Sequence, residues 1–367
     1  MKKSAKNLIG RKVRAGEITG GETASELFDK AFGSFVGREL RDAYQIIRRM
    51  IVEKHTIVLT FSGAMTPVDF GVSCIIPLMK AGLVDILTTT GANLYHDMQR
   101  LKSGHWYEVP PDADDRKLRQ AGLTRIYDTV FPEDDLWGAD RLVCDLIQQS
   151  DMSRAMTTPE FHYAIARHLA GGEVGKFGKA DRDRSILVQA YELGIPIFCG
   201  SPQDSSIFLN LALLKRKWGD RYRFSIDMEG DIHEYGAYHY YAKKRGSGKL
   251  SIIILGGGVP KNYALQPEPY LQQICGLDVD GYDSDVQVCD AHVQNGGLSS
   301  CTASEAHTWG KTSEECVQRS QYVFSDVTAV FPFIVHALLQ EGLNRKSKRL
   351  FDHRGEAIAL LDHALKL

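Results

Sequence analysis

The sequence predicts an α/β fold, in which a doubly wound, mostly parallel sheet carries helices on both faces. Apolar segments rich in β-branched residues recur along the chain, each ends in a turn of Ser, Thr, Gly or Asp, and a helix-like stretch follows. Strands that are buried on both faces have nearly continuous apolar runs, and strands that alternate with helices are typical of parallel sheets. The 367 residues are compatible with one large domain or two smaller ones.

The strand-turn-helix units follow one another along most of the chain. In such sheets ligands bind outside the carboxyl ends of the strands, so we expect the polar turns to form the site. The units are, in order, "HTIVLTFSGAMTP", "GLVDILTTTGANLYHDMQRL", "GIPIFCGSPQDSS", "RFSIDMEGD", "KLSIIILGGGVPKNYAL" and "RSQYVFSDVTAVFPFIVHALLQ".

The predicted core is a single large domain with additions. We expect a helical extension over residues 1–50, a catalytic domain over 51–345 and a helical tail over 346–367. Between the second and third units, the stretch from about 105 to 185 has a mixed helical pattern. We interpret it as a helical insertion or lid and not as a second domain, because no linker of low complexity separates it.

Composition excludes several classes of protein. The chain is 43% hydrophobic and 25% charged with a formal net charge of -2, which gives no basic face for nucleic acid. Its seven cysteines show no CxxC spacing, so neither a disulfide framework nor a zinc ribbon is expected. The basic N-terminus lacks the apolar core of a secretory signal, and no stretch approaches 18 apolar residues. We therefore expect a cytoplasmic protein without membrane contact.

Histidine spacing does not favour a metal site. In "HEYGAYH", His233 and His239 are six residues apart, whereas the HExxH pair presents its ligands four apart on one helix face. We predict no metal.

The glycine run in "IIILGGGVPKN" follows a predicted strand and precedes a predicted helix. Without side chains, its backbone could approach a pyrophosphate or a ribose. It lacks the GxGxxG spacing, however, and a tight turn against a neighbouring strand is the alternative interpretation.

Two aspartates at predicted strand ends have a similar ambiguity. Asp326 in "FSDVTAVFP" is suited to the hydroxyl groups of a ribose, and it is equally suited to cap a helix. Asp204 in "SPQDSS" is either a turn or cap residue or a ligand of a cofactor or substrate. Sequence alone leaves both alternatives open.

Lys311 in "HTWGK" is a candidate nucleophile. A lysine attacks at neutral pH only when desolvation or a nearby cation lowers its pKa, and Trp309 could supply an apolar wall. The alternative is an ordinary solvated lysine, because lysines are rarely buried without a partner.

Several of these segments together resemble the deoxyhypusine synthase family, over roughly residues 55 to 340. Members of that family carry a triple-glycine strand end, an "SWGK"-like lysine motif, an "ADASLVFP"-like segment and "VDVLVTTAG". The resemblance implies a Rossmann-like, NAD-dependent homotetramer with active sites between paired subunits. The matching segments here are "VDILTTTG", "IIILGGGVPK", "EAHTWGK" and "YVFSDVTAVFPFIV".

The resemblance also implies a chemistry. In the family, NAD takes a hydride from the carbon beside the secondary amine of spermidine, and the resulting imine loses diaminopropane. The aminobutyl fragment passes to the motif lysine as an imine, an acceptor amine attacks, and the returning hydride reduces the product. Lys311 matches that lysine, and Trp309 matches a tryptophan packed along the substrate.

Other site residues are assigned by the same resemblance. Asn262 and His96 fall at positions that take part in catalysis in the family. Substrate contacts are expected from Asn295, Leu298, Ser299 and Glu305. Cofactor contacts are expected from Ser62, Thr89, Thr90, Gly91, Asp204, Gly256, Gly257, Gly258, Ser325 and Asp326.

The amine half of this site departs from the family pattern. The family's histidine after the glycine run is Asn262 here, and a glutamate after the "TTAG" motif is His96. Two family aspartates are replaced at about Leu298 and Leu209. An alkylammonium entering a buried slot needs carboxylates to replace its hydration, so spermidine is not expected to be the favoured donor.

Asn262 cannot titrate, so it cannot replace a histidine that shuttles protons. The task could pass to His96, His292 or His307, or these could simply be polar residues that are satisfied within the structure.

We predict an NAD-dependent transferase that forms an imine on Lys311 and delivers an aminobutyl-type group to a small amine, as in homospermidine synthesis. Alternatives are deoxyhypusine formation on a translation-factor lysine, an NAD-dependent amine dehydrogenase, and a non-catalytic NAD-binding protein.

Overall fold

A computed structural model describes residues 12–367, so the first eleven residues of the predicted N-terminal extension lie outside the described part. Its main feature is a sheet of six parallel strands in the order β11-β10-β9-β1-β2-β7. These strands are β1 (Thr56–Phe61), β2 (Ile86–Thr89), β7 (Ile197–Phe198), β9 (Leu250–Leu255), β10 (Ser284–Cys289) and β11 (Ser320–Phe324).

The strand order reverses once, between β1 and β9. From β1 the chain moves outward through β2 to β7, then returns to the other side of β1 and moves outward again through β9, β10 and β11. Such a reversal leaves a crevice at the carboxyl ends of the two strands on either side of it. The predicted Rossmann-like, doubly wound α/β fold is confirmed.

Alternate residues of the strands belong to two separate hydrophobic cores. Ile57, Leu59 and Phe61 of β1 face one core, whereas Val58 faces the other. Because successive strand side chains point to opposite faces, this division requires helices on both sides of the sheet. The helices are α1 (Ala24–Ala31), α2 (Phe35–Val52), α3 (Ile76–Lys80), α4 (Gly91–Lys102), α5 (Asp115–Gln120), α6 (Glu133–Ile147), α7 (Thr158–Gly171), α8 (Lys179–Arg182), α9 (Ile186–Leu193), α10 (Ser206–Trp218), α11 (Met228–Lys244), α12 (Gly258–Ala264), α13 (Pro267–Pro269), α14 (Ala303–His307), α15 (Glu314–Gln318), α16 (Val327–Gln340) and α17 (Arg354–Leu365). The first core includes side chains of α2, α4, α9 and α16, and the second includes side chains of α11, α12 and α17.

Two parts of the strand prediction were wrong. The segment "RFSIDMEGD" contributes β8 (Ser225–Ile226), which pairs with β6 (Ala155–Met156) outside the main sheet. Strand β10 was not predicted, because Asp285 and Gln287 interrupt its apolar pattern although both side chains are buried.

The stretch from 105 to 185 is not helical throughout. It contains a small antiparallel sheet in the order β3-β5-β4, followed by helices α6 and α7. These strands are short and only partly buried, so their sequences give little periodic signal. They are β3 (Tyr107–Glu108), β4 (Leu123–Ile126) and β5 (Thr129–Pro132).

Both ends of the described chain pack on the sheet layers. Helix α2 lies against β10 and β11, and α17 lies against α11. Among residues 12–367, no helix is long and apolar enough to cross a membrane.

Candidate active site at the strand ends

The predicted cofactor residues all lie at the carboxyl edge of the sheet. Ser62 follows β1, Thr90 follows β2, Asp204 follows β7, the glycine run follows β9, and Asp326 follows β11. Because these strands are parallel, all five loops open on the same side of the molecule. The crevice between β1 and β9 lies at the centre of this edge.

The glycine run packs tightly against its neighbours at two of its three positions. Gly256 has a φ of 81°, and a Cβ there would lie 2.1 Å from Ser62 Oγ. A Cβ on Gly257 would lie 2.5 Å from the carbonyl oxygen of Ser299. Ser62 Oγ in turn accepts a hydrogen bond from the Gly257 N–H at 3.2 Å. Gly256 and Gly257 are therefore explained by a tight turn packed against neighbouring segments, which was the alternative interpretation of the glycine run.

Gly258 differs, because nothing in the chain lies within 4 Å of the place where its Cβ would be. Its φ is 60°, a backbone conformation that glycine adopts without strain. Gly63, at the end of β1, has the same open surroundings and a φ of 65°. The crevice is thus bordered on both sides by backbone that a ligand can approach closely.

The two threonines after β2 use their hydroxyl groups within the protein. Thr89 Oγ1 donates to the Phe61 carbonyl at 3.0 Å, and Thr90 Oγ1 donates to the Gly63 carbonyl at 2.7 Å. Thr90 also caps α4 by accepting from the Asn93 N–H. These bonds fix the β2 turn to the β1 turn, so both threonines shape the crevice through the backbone.

Gly91 brings the β2 turn against the loop after β7. A Cβ on Gly91 would lie 2.6 Å from Ser205 Cβ, so a larger residue would push the loops apart. The neighbouring Asp204 is exposed. Its backbone N–H donates to the Ser201 carbonyl at 3.2 Å, which places it in a turn.

Asp326 is the N-cap of α16, as one of its two interpretations predicted. Its Oδ1 accepts from the N–H groups of Thr328 at 2.8 Å and Ala329 at 3.3 Å. The preceding Ser325 donates its N–H to the Cys289 carbonyl, which joins the carboxyl ends of β10 and β11. The cap uses Oδ1, and Asp326 is exposed. Asp326 can therefore cap α16 and contact a ligand through Oδ2 at the same time.

Lys311 has a rigid backbone and an accessible side chain. Its N–H donates to the Ala306 carbonyl at 3.1 Å, and its carbonyl accepts from the Tyr282 N–H at 3.1 Å. The Gln272 side chain holds the preceding Gly310 carbonyl at 2.7 Å. Hydrogen bonds hold the backbone of this turn, and Lys311 remains partly accessible.

The predicted desolvation of Lys311 belongs to a site between paired subunits, so for the single chain it stays a prediction. Lys311 is half-buried, and Trp309 is 59% exposed. The amine lies 5.8 Å from the centre of the Trp309 ring, which is within range of a cation–π contact. Within residues 12–367, the Lys311 amine forms no ion pair. Most residues of the short helix α14 and of the turn after it lie at the surface of the described chain.

The predicted substrate residues line an exposed loop before α14. Leu298 has a φ of 56° and is 62% exposed. Asn295 organises the loop tip, since its Oδ1 accepts from Gly297 N–H at 2.9 Å. Glu305 is exposed in the first turn of α14, while the Ser299 carbonyl points inward to Gln287 at 2.6 Å.

The two remaining catalytic candidates lie in different helices. Asn262 is exposed on α12. His96 lies on α4, where its Nδ1 is 2.7 Å from Gln99 Oε1 and its ring packs edge-on against Trp106. Burial lowers the pKa of His96, so the imidazole is neutral at pH 7. In the described residues, no contact joins His96 to the Lys311 turn.

The sequence reasoning overlooked Lys261 and Gln287. Both side chains are buried beside the glycine run, with Lys261 only 4% exposed. Lys261 stands in "GGGVPK", three residues after the run, and nothing in that spacing indicates that its side chain is buried.

A cavity of about 790 Å³ lies away from the glycine crevice, between the end of α4 and the small antiparallel sheet, with Asp69, Arg100 and Trp106 in its wall. In the part of the chain that the structure describes, no three His, Cys, Asp or Glu side chains are arranged to hold a metal ion. In the single chain, then, the crevice at the strand ends is an open surface feature.

The family model and the relatives that match this chain all carry deoxyhypusine synthase descriptions. The family model described as deoxyhypusine synthase matches residues 26–338. A "Deoxyhypusine synthase-like protein" of Thermosynechococcus vestitus is 36% identical over 340 residues, covering 92% of this chain and 83% of that protein. The protein of the same description from Nostoc punctiforme is 37% identical, over 95% of this chain and 88% of its own length. A "Probable deoxyhypusine synthase 2" of Methanosarcina acetivorans is 34% identical, over 86% of each chain.

A solved structure agrees with the fold. The crystal structure of "a putative deoxyhypusine synthase from Entamoeba histolytica" aligns with a TM-score of 0.56, over 92% of this chain and 100% of that chain. Its sequence identity is 16%, so this likeness supports the fold alone.

Proposed function

Because the chain belongs to the deoxyhypusine synthase family of NAD-dependent transferases, we propose that it moves an aminobutyl-type group from a polyamine-like donor to an acceptor amine through an imine on Lys311. The observation that carries this proposal is the Lys311 turn. Its backbone is fixed by hydrogen bonds on both sides, while its amine lies beside Trp309 and forms no ion pair within residues 12–367.

The strand-end crevice fits NAD. Gly63 and Gly258 border it on its two sides, and no atom of the described chain lies within 4 Å of the place where either Cβ would be. Ser62, Asp204 and Asp326 lie in the loops around it. When bound, NAD would accept a hydride from the donor carbon and return it at the end of the reaction.

The chain's own contribution is to hold and exchange the carbon fragment. The Lys311 amine, once neutral, would attack the donor imine carbon, forming a carbon-nitrogen bond as the leaving amine departs with a proton. An acceptor amine would then attack the lysine imine and release Lys311. Hydride loss and hydride return balance, so no net oxidation occurs. Trp309 would pack against the apolar part of the fragment.

A second copy of the chain would complete this site. Lys311 and Trp309 are accessible in the single chain, yet a lysine becomes nucleophilic at neutral pH only when it is shielded from water or lies near another cation. We propose that paired subunits, in a homotetramer as the family implies, supply that shielding. Crosslinking and sedimentation of the purified protein would test the pairing.

A small amine is the favoured acceptor. His96 is neutral at pH 7, and Leu209 and Leu298 are 68% and 62% exposed apolar residues at positions where the family has acids. A pocket with fewer carboxylates stabilises a highly charged amine less well. We therefore propose an acceptor and donor of lower charge than those of deoxyhypusine synthesis, as in a reaction that forms a homospermidine-like product.

The proposal is tested by incubating the protein with NAD and a panel of amines, trapping with borohydride and weighing the protein. A mass increase on Lys311, together with a new carbon-nitrogen bond in the product and no accumulation of NADH, is the expected result. Accumulation of NADH without a new bond would instead identify an amine dehydrogenase. Binding of NAD with neither outcome would identify a non-catalytic protein.

Spermidine is expected to be a poor donor, and Leu298→Asp should improve its use about fivefold, which corresponds to roughly 1 kcal/mol from a new exposed charge pair. Position 298 has the left-handed backbone that aspartate tolerates better than most residues. The measurement is kcat/KM for spermidine in each variant. Leu213→Asp, at an exposed position on α10, is the matched control. Efficient cleavage of spermidine by the unmodified protein would contradict this expectation.

Asp326→Ala and Asp326→Asn should both weaken NAD binding, by about 1 kcal/mol for a lost hydrogen-bond partner. Asparagine keeps an Oδ1 acceptor for the α16 cap but removes the charge, so it separates binding from capping. Asp114→Ala removes a similar cap from α5, where Asp114 accepts from Arg116 and Lys117 N–H groups. Calorimetry should show weaker NAD binding in both Asp326 variants and unchanged binding in the Asp114 variant. If Asp326→Asn binds NAD normally, then Asp326 is only a cap.

A further inference from the structure

Lys261 is a buried lysine directly beside the cofactor crevice. It lies in the last turn of the short helix α12 and is 4% exposed. Its Nζ donates to Gln287 Oε1 at 2.7 Å, to the Cys301 carbonyl at 2.6 Å and to the Ser299 carbonyl at 3.3 Å. An ammonium group has three N–H donors, and here each has an oxygen acceptor.

This environment is suited to holding parts of the chain together and not to nucleophilic attack. Burial lowers the pKa of Lys261, while the charge of Asp285 opposes that shift. A neutral amine would direct its lone pair at one of the three acceptor oxygens, so the hydrogen bonds favour the ammonium form. An ammonium without a lone pair cannot attack an imine.

Gln287 extends the same network to the glycine run. Its Nε2 donates to the Gly256 carbonyl at 2.7 Å and to the Ser299 carbonyl at 2.6 Å. Gly257 is in contact with the Ser299 backbone as well. Lys261 and Gln287 therefore connect β10, the glycine run and residues 299–301.

We propose that Lys261 is a positioning residue that fastens residues 299–301 to the glycine run and thereby sets the substrate loop relative to the cofactor crevice. This inference rests on the proposed function, because it assigns the loop of Leu298 and Glu305 to the amine donor. The bonds act on the backbone of the loop, so Lys261 affects the donor without touching it.

Loss of Lys261 should loosen the loop and leave the fold intact. Tyr322 holds the other parts of the loop independently, since its hydroxyl donates to the Cys289 carbonyl at 2.8 Å and lies 2.9 Å from Ser300 Oγ. Gln287 would still hold Ser299. The effect of removing the lysine is thus expected at Cys301 and in the exposed tip of the loop.

The test compares Lys261→Met with Lys80→Met, which changes an exposed lysine at the end of α3. In Lys261→Met, half-saturation by the best amine donor should require about tenfold more donor, as for one lost buried hydrogen-bond partner, while NAD affinity changes less than about threefold. Amide hydrogen exchange over residues 292–302 should also become faster. Lys80→Met should match the unmodified protein in all three measurements.

If Lys261→Met does not fold, Lys261→Gln replaces it. Its side chain is shorter and has two N–H donors in place of three, so it cannot make all the bonds to Gln287, Ser299 and Cys301, and the same two changes are expected. Unchanged exchange over residues 292–302, or unchanged donor half-saturation, would overturn the inference. If the unmodified protein forms no adduct with any donor, the proposed function fails, and the exchange measurement still decides whether Lys261 fastens the loop.

Discussion

Replacing Lys311 by arginine is expected to abolish transfer, with a loss of about a thousandfold or more, while NAD binding is unchanged. Arginine keeps the positive charge beside Trp309 but cannot lose its proton at neutral pH. The turn itself should survive, because the bonds that fix it are made by the backbone of residues 306, 310 and 311. The variant therefore separates nucleophilicity from charge and from folding.

The measurement is borohydride trapping followed by peptide mapping, with calorimetry for NAD. Lys244→Arg is the matched control, because the Lys244 amine lies 5.4 Å from the centre of the Tyr240 ring, in the same kind of contact. Some NADH can still form in Lys311→Arg, since hydride removal precedes attack by the lysine in the family's reaction. An adduct on another lysine, or full transfer activity in the arginine variant, would exclude Lys311 as the nucleophile.

The second large effect is expected on stability at acidic pH, through His162. This histidine of α7 is 3% exposed, and its Nδ1 donates to the Ile197 carbonyl in β7 at 2.8 Å. Burial lowers its pKa to about 4, and the hydrogen bond to Ile197 opposes that shift. In the unfolded chain, a histidine titrates near the usual value of about 6.5.

The direction of the effect follows from proton binding. Between pH 6.5 and pH 4 the unfolded chain takes up a proton at His162 and the folded chain does not, so acid favours unfolding. His162 thus contributes stability that is fully present above about pH 6.5 and is lost as the pH falls toward 4. Its contribution amounts to about 3 kcal/mol over the whole range, from about 1.4 kcal/mol per pKa unit.

His162→Gln should therefore make stability less dependent on pH. Glutamine can still donate to the Ile197 carbonyl but does not titrate. Denaturant unfolding gives the free energy of unfolding at pH 7.5 and at pH 4.5. The decrease between these two values should be smaller by about 2 to 3 kcal/mol in the variant than in the unmodified protein. His336→Gln, at an exposed position on α16, should leave the difference unchanged. Equal pH dependence in His162→Gln and the unmodified protein would contradict the role assigned to His162.

Apolar runs in the sequence predicted most strands of the sheet. The main omission was β10, which contains buried polar residues. Strands β1 and β9 have almost uninterrupted apolar runs, which is why both were located from sequence. In β10, Asp285 and Gln287 alternate with valines, a pattern typical of a strand with one wet face. Gln287 is instead buried with its hydrogen bonds satisfied by Lys261 and two carbonyls. Only three-dimensional contacts could identify that partner set.

The positions of the candidate site residues along the sheet could be predicted from the sequence, but the burial of their side chains could not. The strand-end positions of Ser62, Asp204 and Asp326 follow directly from the parallel sheet. The partial burial of Lys311 in its own chain does not, because "HTWGK" gives no sign of which residues cover the lysine. Burial of Lys261 could not be predicted either, since its desolvation depends on the distant residues 299 and 301.

The pairing of β1 with β9 has a consequence for the order in which the protein folds. Thr56 lies opposite Leu250 and Phe61 opposite Leu255, so the pairing joins segments separated by about 190 residues. During synthesis, β2 is available to β1 long before β9 emerges, and one side of an apolar strand remains without a partner. Contacts at such separation form slowly, and unpaired apolar edges favour aggregation. A fragment ending near residue 245 should therefore aggregate, and assembly of the crevice should coincide with the last and slowest step of folding.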